Sequence, residues 1–149
     1  FYNYFEDKYA GLSYIIYLDT VETALPYIEK RQFLQAVKAM LDNFVENREF
    51  YQIAFRITGQ NSFEDLFEEN IQQLFAEMFR RYGRPEKLGT MSEEELAGYF
   101  GNSLCYTVNH WLCRNRGMDS ETFLKQYGFV VTSSIFDFLD MSQADGKGF

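Results

Sequence analysis

Proline is nearly absent from this sequence. Pro26 and Pro85 are the only two in 149 residues, so little forbids long helices. Histidine is scarcer still, with His110 alone. A di-iron helical bundle needs Glu-x-x-His on two helices, and a single imidazole rules it out. A Ser-His-Asp hydrolase would have to use His110, yet no Gly-x-Ser-x-Gly turn presents a nucleophile. The glycines are scattered, so no phosphate-cradling loop is present. An enzyme is not expected, and no cofactor is implied. No apolar run approaches the length of a membrane span, and no signal peptide is visible. No membrane partner is expected, and the location implied is cytoplasmic. The two cysteines, Cys105 and Cys113, lie eight residues apart in one helical pattern. That is about 12 Å along a helix axis, beyond the reach of a disulfide. Two thiols so placed fit a reducing compartment. His110 and Cys113 share a helix face, but a structural zinc site wants four ligands, so no metal is assigned.

What the chain has in excess is aromatic side chains, 16 Phe and 11 Tyr against one Trp. It is also acidic, with 22 Asp and Glu against 14 Lys and Arg, a net charge of -8. Such a surface repels phosphates, so these residues by themselves do not make a DNA-binding face. The length suits one domain with its own core.

Helix signals recur along the chain, and no strand-period segment competes. Asp7 can cap a helix carrying Leu12, Ile15 and Ile16 that ends near Pro26. From Gln32, apolar residues fall three and four apart from Phe33 to Val45. A further helix carries Phe50, Ile53, Ala54 and Ile57 and breaks at Gly59. Asn61 and Ser62 precede a long apolar face from Phe63 to Tyr82, which stops at Arg80, Arg81, Gly83 and Pro85 as dipole and C-cap chemistry favour. Ser92 with Glu95 forms a capping box for a helix running to Arg114. Asp119 caps a last helix expected to reach about Met141, with Met118 and Phe123 as its hydrophobic staple. The fold class is all-α, a multi-helix bundle.

Phe1, Tyr2, Tyr4, Phe5, Lys8 and Leu12 together resemble the junction between recognition helix and connecting helix in TetR-family transcriptional regulators. The order of several medium helices followed by two long ones is similar to that family as well. The resemblance implies a homodimeric regulator whose larger domain holds a small-molecule effector and whose small helix-turn-helix head binds operator DNA. On that pattern residues 1–8 are a remnant of the head, 9–141 the ligand-binding and dimerisation domain, and 142–149 a flexible tail. Tyr2, Tyr4 and Lys8 would touch operator phosphates, with Tyr4 standing where the family commonly has His. Most of the head lies outside the chain, which opens at Phe1 within a helical pattern.

Many tyrosines among apolar faces suit a pocket, because buried hydroxyls need partners and pockets are apolar walls with a few polar groups. A hydrophobic or amphipathic ligand is therefore expected among Tyr14, Tyr17, Phe44, Tyr51, Phe55, Phe75, Phe79, Tyr106 and His110. Small residues recur every fourth position after Ser92, at Ala97, Gly101, Cys105, Asn109 and Cys113. Glycine inside a helix costs up to about 1 kcal/mol, so Gly98 and Gly101 call for close approach of another helix. Gly128 repeats the feature in the last helix. The expected dimer face, a four-helix bundle from the last two helices of each copy, comprises Gly101, Cys105, Val108, Leu112, Gly128, Val131 and Ile135. The alternative is a constitutive helical interaction module with no pocket.

Overall fold

Regular three-and-four spacing of apolar residues makes each segment bury one stripe, and the chain folds as helices wherever that spacing persists. The computed structural model describes residues 2–59, 62–115 and 117–140, with backbone alone for 2–9 and 85. Its helices are α1 (Tyr2–Tyr17), a π turn (Leu18–Glu22), α2 (Thr23–Glu29), α3 (Phe33–Glu46), α4 (Arg48–Ala54), α5 (Phe63–Tyr82), α6 (Pro85–Leu88), α7 (Glu93–Arg114) and α8 (Ser120–Val131), followed by a 3-10 turn (Ile135–Phe138). No strand occurs among the described residues, and the class is all-α. The longest contact runs between α5 and α7; α3 joins α2 to α8, and α1 lies along α5.

The helix starts follow side-chain chemistry. Ser62 accepts from the Asp65 backbone N–H at 3.2 Å, and Asp119 from that of Thr122 at 2.7 Å. Ser92 and Glu95 each accept the other's backbone N–H, at 3.0 and 3.3 Å. This box satisfies donors that the first turn of α7 cannot bond internally. Ser92→Ala is expected to cost about 1 kcal/mol, read as a lower urea midpoint. An unchanged midpoint would show that the box contributes nothing to stability.

Three expectations are corrected. Asp7 is not a cap, because α1 is already helical from Tyr2. Pro26 does not end the helix but sits inside α2. A proline ring crowds the carbonyl four residues back, here Glu22, and the chain answers with a π turn ending at that residue. The Thr23 hydroxyl donates to the Leu18 carbonyl at 2.6 Å, so the wider turn leaves that group satisfied. Gly83 caps α5 as expected, in extended backbone with φ -64 and ψ 142. Glycine serves there because a Cβ would stand 2.3 Å from the Phe79 carbonyl oxygen. Finally α8 stops at Val131, ten residues short of Met141, where Thr132, Ser133 and Ser134 draw the chain into turns. The Thr132 and Ser133 hydroxyls donate back to the Gly128 and Phe129 carbonyls, both at 2.7 Å. Such bonds compete with continuation of the helix. Phe1, Asn61 and the 142–149 tail lie outside the described residues, as does Met141.

Candidate functional site

The nine residues expected to line one pocket lie in separate places. Phe44 and Tyr51 are buried in a filled aromatic cluster with Phe50, Phe55, Phe63 and Phe67. Tyr51 stands edge-on to Phe44 at 4.9 Å, to Phe50 at 5.3 Å and to Phe63 at 5.7 Å. Edge-to-face rings interlock and leave no room for a ligand. Nor is the Tyr51 hydroxyl a spare handle: it donates to Asp19 Oδ2 at 2.5 Å. Burial above all, and then that carboxylate, push its ionisation well above the ordinary tyrosine range. Phe75 and Phe79 belong to a second aromatic row, both flanking Phe100 of α7 at 6.3 and 5.8 Å.

The remaining four face outward, on two open grooves. Tyr14 and Tyr17 line one of about 620 Å³ between α1 and α5, with Glu69, Asn70 and Gln73. Tyr106 and His110, their rings 6.3 Å apart, line another of about 420 Å³ with Phe55, Arg56 and Arg114. The central cavity is thus corrected to surface grooves. Helical register on α7 is the reason: Leu104, Cys105, Val108 and Leu112 take the buried side and turn Tyr106 and His110 away from it.

The same register corrects the dimer face. A Cβ on Gly101 would stand 3.0 Å from Gln72 Cγ and 3.3 Å from Gln72 Cα, so the small residue admits α5 of the same chain. Cys105, Val108 and Leu112 are buried on that side, and burial pushes the Cys105 thiol upward, with Glu68 and Glu64 adding to the shift. A Cβ on Gly128 would stand 3.5 Å from Leu34 Cδ1 of α3, and Val131 packs against the core. Of the seven residues, only Ile135 is exposed. Sequence reasoning placed only Ile135 of the opposite stripe in the dimer face. Tyr99 and Tyr106 of α7, Phe129 and Val130 of α8, and Ile135 and Phe138 beyond it are each at least 51% exposed. Their signal was the row Tyr99, Ser103, Tyr106 and His110, at helical spacing on the side away from the small residues. A groove of about 540 Å³ runs along this face, floored by Phe100 and Phe123.

Tyr2, Tyr4 and Lys8 fall in the first turns of α1, and their side chains lie outside the described residues. Among the described residues no three His, Cys, Asp or Glu side chains gather to hold a metal ion, and no helix is long and apolar enough to cross a membrane.

Residues 31–132, more than half of the chain, match a family model described as a transcriptional regulator C-terminal region. No curated protein and no solved structure matches the chain.

Proposed function

The chain belongs to the TetR family of transcriptional regulators, as a C-terminal regulatory domain, and on that premise we propose that it is a homodimeric, effector-controlled switch for a DNA-binding head. The observation that carries the dimer is the exposed apolar stripe of Tyr99, Phe129, Val130, Ile135 and Phe138 on α7, α8 and the following turn. Tyr99, Val130 and Ile135 line one groove there, and exposed apolar surface of this kind marks an association site. Two copies related by a two-fold axis would bury it in a four-helix bundle, each copy presenting the same residues.

The effector is a small hydrophobic or amphipathic molecule. The groove beside Tyr14 and Tyr17 supports such control, because it lies between α1 and α5. A ligand there would favour one position of α1 over another, and α1 is the element leading toward the head. Operator DNA would be met by that head, with Tyr2, Tyr4 and Lys8 at its border. The filled ring cluster around Tyr51 favours the second reading, an interaction module without effector.

Tyr99→Glu with Val130→Glu places four charges at a two-fold interface, where like charges desolvated together are costly. Sedimentation velocity is expected to give a dimer for the wild type and a folded monomer for the double variant. A wild-type monomer, or a variant that stays dimeric, sinks the assembly. A thermal-shift screen of apolar compounds decides between effector domain and plain module: a bound ligand raises the midpoint, and no hit favours the module.

A further inference from the structure

The groove where α4 meets the end of α7 gathers two arginines on an acidic chain. α4 is tied there by the Gln52 side chain, whose Nε2 donates to the Leu112 carbonyl at 2.6 Å. That bond brings Phe55 and Arg56, just past α4, beside the last two turns of α7. The resulting groove of about 420 Å³ is lined by Phe55, Arg56, Tyr106, Asn109, His110 and Arg114, with Cys113 at its wall and no carboxylate among the described lining residues. Two guanidiniums thus share one concave site on a chain of net charge -8. The ion pairs of Lys38 with Asp42 and of Arg80 and Arg81 with Glu77 use neither of these arginines.

An arginine in the last turn of a helix has a plain use, since it faces the negative end of the dipole. That accounts for Arg114 but not for its company. Arg56 arrives from another element, the Asn109 amide and the His110 ring add polar groups, and the Phe55 and Tyr106 rings supply apolar surface. A guanidinium fork matches the two oxygens of a carboxylate, and aromatic walls match a planar body.

We propose that this groove binds a small aromatic carboxylate, its carboxylate held by Arg56 and Arg114 and its ring laid against Phe55 and Tyr106. The assignment rests on the reading of the domain as effector-binding and names the chemical class of one effector. Naphthoate is the probe, titrated by calorimetry into the intact chain, with naphthamide as the uncharged control and inorganic phosphate as competitor. Saturable naphthoate binding is expected, weakened roughly ten- to hundredfold in Arg56→Gln/Arg114→Gln and by added salt. Both arginines are exposed, so the double variant is expected to keep the wild-type melting temperature. Naphthamide should not distinguish the two proteins. Trp111 borders the adjoining groove with Tyr106 and His110, so its emission should report naphthoate.

Equal naphthoate affinity in wild type and double variant, or no saturable binding to the wild type, overturns the proposal. Displacement of naphthoate by an equal concentration of phosphate overturns it too, since the site would then read charge alone. Sedimentation of the same samples keeps the two readings apart. An intact dimer without naphthoate binding removes this site and leaves the regulator standing, whereas naphthoate binding to a wild-type monomer removes the assembly and leaves the site.

Discussion

Gly101→Leu is expected to lower the thermal midpoint of this domain by roughly 6–12 °C, a loss of about 3 kcal/mol at the upper end of overpacking costs. The reason lies in what faces the glycine. A Cβ there would meet Gln72 Cα at 3.3 Å and Gln72 N at 3.4 Å, and these are backbone atoms of α5 that cannot swing aside as a side chain tip does. Leucine adds three more carbons in the same direction, so α5 and α7 must separate along the longest contact in the fold. The neighbours Leu104, Cys105 and Val108 are all buried and would lose packing together. Gly98, three residues earlier, meets nothing within 4 Å, and Gly98→Ala should instead be neutral or gain a few tenths of a kcal/mol through helix propensity. The pair separates the two possible uses of small residues on α7. Circular dichroism melts read stability, and sedimentation reads assembly. A Gly101→Leu protein that melts like the wild type but runs as a monomer would return the stripe to the dimer interface.

This contrast marks how far the sequence carries. Every-fourth small residues signal that a helix approaches closely, but spacing alone does not say whether that helix belongs to the same chain. The spacing points Gly101 and Gly128 at a second copy, whereas their partners are Gln72 and Leu34 of the same chain. Aromatic content is ambiguous in the same way. Tyr51 and Phe44 have the composition of a pocket wall, and only their edge-on geometry reveals a filled core. Caps were legible because they are local: Ser62, Ser92 and Asp119 each act within three residues. The π turn was not, since it answers a proline four residues away and is held by Asn43 from another helix. Family membership was legible for a separate reason. The junction resemblance rests on residues 1–12, whereas the matched family region spans 31–132, so two non-overlapping stretches agree.

Asn43 and Tyr51 hold that π turn from opposite helices, and the second of them sets up the other large effect. The Asn43 amide donates to the Asp19 carbonyl at 3.2 Å and to the Thr23 hydroxyl at 3.0 Å, while the Tyr51 hydroxyl donates to the Asp19 carboxylate at 2.5 Å. Tyr51→Phe keeps the ring and its edge-on neighbours and removes one donor from a charged acceptor, which is expected to cost about 1.5–3 kcal/mol at neutral pH. Tyr51→Ala empties the cluster as well and is expected to cost about 3–5 kcal/mol. The tyrosine also fixes the sign of the alkaline response. Its folded ionisation lies above the ordinary value of 10.0, so the stability it contributes is fully present below pH 10 and is lost as pH rises beyond it. Each further pH unit removes about 1.4 kcal/mol for one such group. Tyr127, whose hydroxyl is buried without a hydrogen-bond partner among the described residues, shifts the same way through burial and the nearby Cys105 thiol. Cys105, raised from 9.0, adds to the decline from about pH 9. The wild type should therefore weaken steeply above pH 10, and Tyr51→Phe less steeply, so that their urea midpoints converge as pH climbs. Midpoints measured at neutral pH and on either side of pH 10 test this directly. Parallel curves would mean that Tyr51 does not hold its proton in the folded state, and the bond to Asp19 would then not be what secures the π turn beneath α1.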